Sequence, residues 1–291
     1  MVEKFNSLLN DNDIINIVEM AAEKRRYFNA GLLPIGNDIL RLLENEGIIL
    51  IQYPVENKDG TLNFSAMYLS ITEAGQSMCF IGINSADYFD KQIFAAAHEL
   101  YHHFYKGSPH LCRLSELETT VEEAKANLFA AEFLLPAEIL KKEIRNEYGK
   151  QDLKSLQHST ILRFISRIHC SWWLPYKSIV KRLYEIDSIS HLQYNLLYKE
   201  NERYETSKYF KAGLNSDTEI FSILNKKTHK AGVDGKNLEV LIRNYEDGII
   251  SSSEFASVLE VFGKKPEELG LVEEISKEDL EDMSDFLGER G

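Results

Sequence analysis

Apolar residues recur at three- and four-residue spacings from about Asp13 to Asn29, where Ile14, Ile17, Val18, Ala21 and Ala22 share one face behind the capping-type residues Asp11 and Asn12. That period predicts a helix, and Gly31 ends it. A short helix follows Asn37, with Ile39, Leu40, Leu42 and Leu43 as its apolar positions and Gly47 at its close. The pattern then changes. Ile48 to Tyr53, Leu62 to Ile71 and Ser77 to Ile83 are dense in apolar and aromatic residues, and Asp59-Gly60 is a strong turn pair, so three strands including a hairpin are predicted. From Asp90 the helical period returns, with Ile93, Phe94, Ala97, Leu100, Tyr101 and Phe104 forming one broad face up to Gly107. A second helix is predicted from about Glu116 to Leu135, and Pro136 stands where a third begins, with Ile139, Leu140 and Ile144 as its packing stripe. Leu153 to Asp187 reads as two helices around His169-Cys170-Ser171. Leu196 to Gly291 reads as wholly helical, with a linker near Ser188 to His191 before it.

The resulting fold class is α+β: a small three-stranded sheet packed on helices, followed by a mostly α-helical C-terminal half. With 291 residues, 44% of them apolar and 27% charged, the chain can bury such a core without staples. No apolar run approaches the ~20 residues needed to cross a bilayer, and the N-terminus lacks the basic patch and apolar stretch of a secretory signal. Three cysteines far apart, Cys79, Cys112 and Cys170, fit a reducing cytoplasm better than a disulfide framework. The net charge of −13 disfavours phosphate backbones, although it is uneven. Residues 266–291 hold ten acids against Lys277 and Arg290, and read as a solvated amphipathic helix with Leu280, Met283, Phe286 and Leu287 on one side. Lys150 to Asp187 carries seven basic and three acidic residues with Trp172 and Trp173, which invites a helix-turn-helix reading. The turn lacks a glycine, so packing of these helices on the core outweighs direct DNA contact.

His98-Glu99-Leu100-Tyr101-His102 is the sharpest chemical signal. Residues four apart in a helix stand nearly one above the other, so the two imidazoles can pinch one cation, and zinc suits such a pair. Glu99, about 100° round the helix, can reach a water in the open coordination position and take its proton. A charged Glu inside an apolar run also needs such a partner. A catalytic zinc takes three protein ligands. The extended metzincin pattern fails, with Tyr105 where a Gly is needed and Ser108 where a third His would stand. His110, Glu122 and Glu123 remain as third-ligand candidates, because the stripes beginning at Glu122 and at Glu123 can both face inward. Tyr101, His103, Tyr105, His110 and Arg113 are all close enough in sequence to stabilise an oxyanion, and His103 reads best as a helix-flanking histidine.

Phe94-Ala95-Ala96-Ala97-His98-Glu99-Leu100-Tyr101-His102, preceded by Phe80-Ile81-Gly82-Ile83-Asn84 and followed by Glu123-Ala124-Lys125-Ala126-Asn127-Leu128-Phe129-Ala130-Ala131-Glu132-Phe133-Leu134-Leu135-Pro136, resembles the ImmA/IrrE metallopeptidase family. Its members share a strand, an HExxH helix and a helix reading roughly E-x-x-A-N-x-F-A-A-x-L-L-x-P. The resemblance covers about Gly47 to Pro136 well and the region after Leu196 hardly at all. It implies zinc held by His98, His102 and Glu123, Glu99 as the catalytic proton acceptor, and Asn127 orienting a ligand. Lys125 and Tyr101 depart from the usual pattern, and Lys125 is expected to point to solvent. The resemblance further implies a bacterial, intracellular zinc endopeptidase that cuts a regulator, expected to be a helix-turn-helix repressor of a mobile element or stress response. The alternative is a zinc-containing regulatory protein that binds DNA or a partner without proteolysis. The implied organisation is a zinc metallopeptidase domain at 1–149, a helix-turn-helix-like segment at 150–190 packing on it, and an all-helical domain with an acidic tail at 191–291.

Overall fold

The computed structural model describes residues 8–62, 64–73, 76–105, 110–113, 120–233, 235–261 and 265–269. They form two compact units, Met1–Asp234 and Gly235–Gly291. Helices α1 (Asp11–Tyr27) and α2 (Asp38–Asn45) lead into strand β1 (Ile48–Tyr53), followed by β2 (Phe64–Glu73) and β3 (Gln76–Asn84). Helix α3 (Phe89–Tyr105), strand β4 (His110–Arg113) and helix α4 (Val121–Leu134) come next, then α5 (Ala137–Tyr148), α6 (His158–Trp172) and α7 (Tyr176–Glu185). The first unit closes with α8 (His191–Tyr198), α9 (Lys208–Ser216), α10 (Thr218–Leu224) and β5 (Gly232–Val233).

The expected three strands form the body of the sheet, and a short strand extends it at each edge, giving the order β4-β2-β3-β1-β5. The hairpin lies elsewhere than Asp59-Gly60. β2 and β3 pair antiparallel from Ala66↔Ile83 to Glu73↔Gln76, whereas β1 runs parallel to β3 from Ile48↔Cys79 to Tyr53↔Asn84. The reason sits at the exit of β1. The Asn84 amide at the end of β3 donates to the Val55 carbonyl (2.8 Å), and its oxygen accepts from Val55 N–H (2.9 Å), so the chain is fastened to β3 before it can fold back. Asp59-Gly60 does turn the chain, with Gly60 at φ +77° and Asp59 accepting from Thr61 N–H, but within the β1–β2 crossing.

One face of the sheet buries Ile48, Leu50, Ala66, Tyr68, Ile81 and Ile83. α3 lies across β2 and β3 on that side, and α4 packs on α3 and α1. Burial on nearly every side explains why apolar Ile93, Ala95, Ala96, Ala97 and Leu100 lie on several faces of α3, with His98 and Glu99 buried among them. The turn between α6 and α7 falls at Trp173–Pro175 and not at His169–Ser171, which are the last turn of α6. Trp173 takes a left-handed φ of 59° there, and the His169 ring bonds the Leu174 carbonyl at 2.8 Å. Trp172 is buried and Trp173 packs against the core, so neither forms an exposed stacking platform.

Residues 191–234 belong to the first unit. Gly213 of α9 lets the ring of Phe221 approach so closely that a Cβ would lie 2.0 Å from it. The chain then runs extended, not helical, past the β3–α3 junction. Phe89 N–H donates to Lys226 O (3.0 Å), His229 N–H donates to Ser85 O (2.9 Å), and Gly232 pairs with Gln52 of β1. Arg203 grips Asp90 in the first turn of α3 through both carboxylate oxygens, at 2.9 and 2.7 Å. The second unit contains α11 (Gly235–Glu246) and α12 (Ser252–Val261), joined by stacked Tyr245 and Phe255, and a 3-10 turn at Pro266–Leu269. The acidic segment 270–291 lies outside the described residues. No helix among the described residues is long and apolar enough to cross a membrane.

Candidate metal centre

The HExxH residues occupy the C-terminal half of α3. One turn separates His98 from His102, and their ring centroids are 5.3 Å apart. α4 faces them with its first turn, which Thr120 caps by accepting from the Glu123 N–H at 3.2 Å. The cap fixes the third helical position, and the Glu123 carboxylate projects between the histidines. One oxygen lies 3.2 Å from His98 Nε2 and the other 3.7 Å from His102 Nε2. Among the described residues, His98, His102 and Glu123 form the cluster whose ligand atoms all lie within 4.8 Å of one another. All three are buried. Two imidazoles and one carboxylate form the donor set of an open catalytic zinc site, so these residues fit the metal.

Asn127 stands one turn beyond Glu123 and reaches the opposite edge of the same ring. His98 Nδ1 and Asn127 Oδ1 are 3.0 Å apart, and with Nδ1–H as donor to that oxygen the Nε2 edge of the ring is turned toward Glu123 and the metal position. Burial pushes the His98 pKa down, but the bond to Glu123 and the charges of Glu99 and Glu123 outweigh it and raise the net value. A divalent cation held at this position would be stabilised by the same carboxylate charges. Glu99 is also fully buried, and with His98 and Asn127 it lines a cavity of about 240 Å³.

The five sequence-derived residues His98, Glu99, His102, Glu123 and Asn127 are therefore brought together. Glu122 is not among them, because it accepts a 2.6 Å hydrogen bond from the buried Tyr101 hydroxyl. That bond decides between the two stripes left open by periodicity, and it occupies Tyr101. Lys125 departs from expectation. It does not point freely to solvent but pairs with Asp13 of α1 at 3.1 Å. His103 sets its ring against Tyr68, and Tyr105 stacks on Tyr101. The side chains of His110 and Arg113 lie outside the described residues. Sequence reasoning missed the far wall of the cavity, where Pro175, Lys177 and Ser178 of the α7 start approach the centre. No local pattern could have signalled them, since ~75 residues separate them from the motif.

Residues 48–183 match the family model Peptidase_M78, described as the IrrE N-terminal-like domain. The match runs from β1 to α7 and spans every residue of the centre. No curated protein matches the chain.

Proposed function

We propose that the chain, which carries an ImmA/IrrE-type peptidase domain over residues 48–183, is a cytoplasmic zinc endopeptidase. Its proposed substrate is a regulatory protein, of the helix-turn-helix repressor type, cut at one or a few peptide bonds. The observation that carries this reading is the convergence of His98, His102 and Glu123 with a buried Glu99 beside them at a cavity wall. A purely structural metal site has no use for a proton acceptor next to the ion.

His98, His102 and Glu123 would hold the zinc, which supplies Lewis acidity toward water and toward the scissile carbonyl. Glu99 removes the proton from the attacking water and delivers it to the leaving amine nitrogen, so one carboxylate serves as base and then acid. Its burial keeps the proton transfer away from bulk water. Asn127 holds the His98 ring in one tautomer and one orientation, which keeps the ligand set ready without reorganisation. The hydrogen-bonded pair Tyr101 and Glu122 ties α3 to α4 on the other side of the centre.

The test is incubation of the purified chain with candidate repressors, with and without a chelator. Specific cleavage that the chelator abolishes and that Glu99→Gln removes is the expected result. Cleavage surviving Glu99→Gln would refute the assigned chemistry. Retarded DNA at moderate salt with no proteolysis would favour a regulatory binding protein.

A further inference from the structure

The cavity beside Glu99 has two walls of different character. Lys91, Phe94, Ala95, His98 and Glu99 of α3, with Asp87 just before that helix and Asn127 of α4, form the reactive side, while Pro175, Lys177 and Ser178 at the start of α7 form the other. The apolar floor can seat the stem of a side chain. The charges decide what its tip must be.

Lys91 contributes little. Its ammonium lies 3.4 Å from the buried Asp87 carboxylate, which also accepts from Tyr88 N–H at 2.8 Å, so the two charges cancel inside the wall. Lys177 differs. It has no ion pair among the described residues, and its ammonium rests 5.3 Å from the centroid of the Tyr198 ring, from which its flexible stem can swing toward the cavity it lines. It is therefore the uncompensated cation on the substrate-facing wall. The backbone acts in the same direction, because Pro175 precedes the first turn of α7 without a side-chain cap, and the first N–H groups of that helix carry partial positive charge.

Resting on the peptidase reading, we infer that Lys177 is a specificity-determining residue: it selects substrates with an Asp or Glu side chain next to the scissile bond, seated in the cavity between α3 and α7. The carboxylate meets Lys177 while its methylene stem lies over Phe94 and Ala95. A lysine or arginine at that position meets like charge, and discrimination comes from this repulsion as much as from the attraction.

The test uses a position-scanned library of fluorogenic peptides with the zinc-loaded wild type, Lys177→Glu and Lys177→Arg. Lys177 is exposed, so these variants are expected to fold. In the wild type, Asp or Glu at one position flanking the cut is expected to raise kcat/KM about tenfold over Lys at that position. Lys177→Glu inverts the order, and Lys177→Arg retains it. A wild type indifferent to charge, or a Lys177→Glu variant with unchanged preference, overturns the inference. Should no peptide be cut, polarisation binding of the same peptides to the Glu99→Gln protein separates the two claims. Acid-selective binding lost in the Glu99→Gln/Lys177→Glu double variant upholds the recognition while the peptidase reading fails. Charge-blind binding sinks the recognition itself.

Discussion

Arg203→Met is the perturbation with the largest calculable consequence. Asp90 is fully buried in the first turn of α3, about two turns before His98, and both its oxygens accept from the Arg203 guanidinium. The second arm of Arg203 bonds the Asn225 side chain, and its plane lies 4.2 Å from the Tyr88 ring centroid. His169 lies 3.9 Å from Asp90, and full burial is the largest influence lowering its pKa, with the Arg203 charge lowering it further and Asp90 raising it, so it is a poor substitute for a permanent cation. Removing Arg203 leaves Asp90 with its own helix amides, including Lys91 N–H at 2.8 Å, as the main compensation. Breaking a buried pair from one side costs about 3–5 kcal/mol, and the helix N-terminus returns up to about 2, so a loss near 3 kcal/mol is expected. Against a total stability of about 5–15 kcal/mol this is a large fraction. Urea unfolding of the first unit, followed by tryptophan fluorescence, measures it. The cycle with Asp90→Asn supplies the control, since the double variant leaves no charge stranded and is expected to recover at least about 2 kcal/mol over Arg203→Met. A single-variant loss below about 1 kcal/mol, or strictly additive effects, would refute the argument that this pair locks the C-terminal segment onto the HExxH helix.

Asn127→Ala is expected to weaken zinc affinity about 10- to 100-fold by freeing the His98 ring, as measured by competition with a chromophoric chelator; unchanged affinity would contradict the orienting role. His169, with its folded pKa below 6.5, stabilises the native state fully above that value, and the contribution is lost as pH falls through and below it. The stability of metal-free wild type should therefore drop more steeply between about pH 7 and about pH 5.5 than that of His169→Gln. Comparing the two cancels His98, whose raised pKa has the opposite sign. Finally, a chain ending at Asp234 should fold, whereas one ending at Ser190 should aggregate. The shorter one exposes the faces that Tyr209, Phe221 and Leu224 cover and strands Asp90, which hydrogen exchange and light scattering would reveal.

Local pattern was enough for whatever depends on neighbours in sequence. The 3.6-residue period placed α1 and α3, runs dense in apolar and aromatic residues placed three strands, and the four-residue interval put His98 and His102 on one face with Glu99 beside them, because those relations are intrinsic to a helix or strand. The resemblance to ImmA/IrrE peptidases added Glu123 and Asn127 before any coordinate did. Pairing was beyond it. β1 joins β3 in parallel because Asn84 clasps Val55, and Glu122 turns from the metal because Tyr101 captures it, both contacts between segments that periodicity treats separately. The tertiary structure alone made residues 191–234 part of the first unit, through Arg203 on Asp90 and the extended strap along Ser85. It also set Lys177 across the cavity from Glu99. A sequence records which groups are available, but the depth of burial that makes a charge costly or a ligand set rigid exists only once distant segments have excluded water between them.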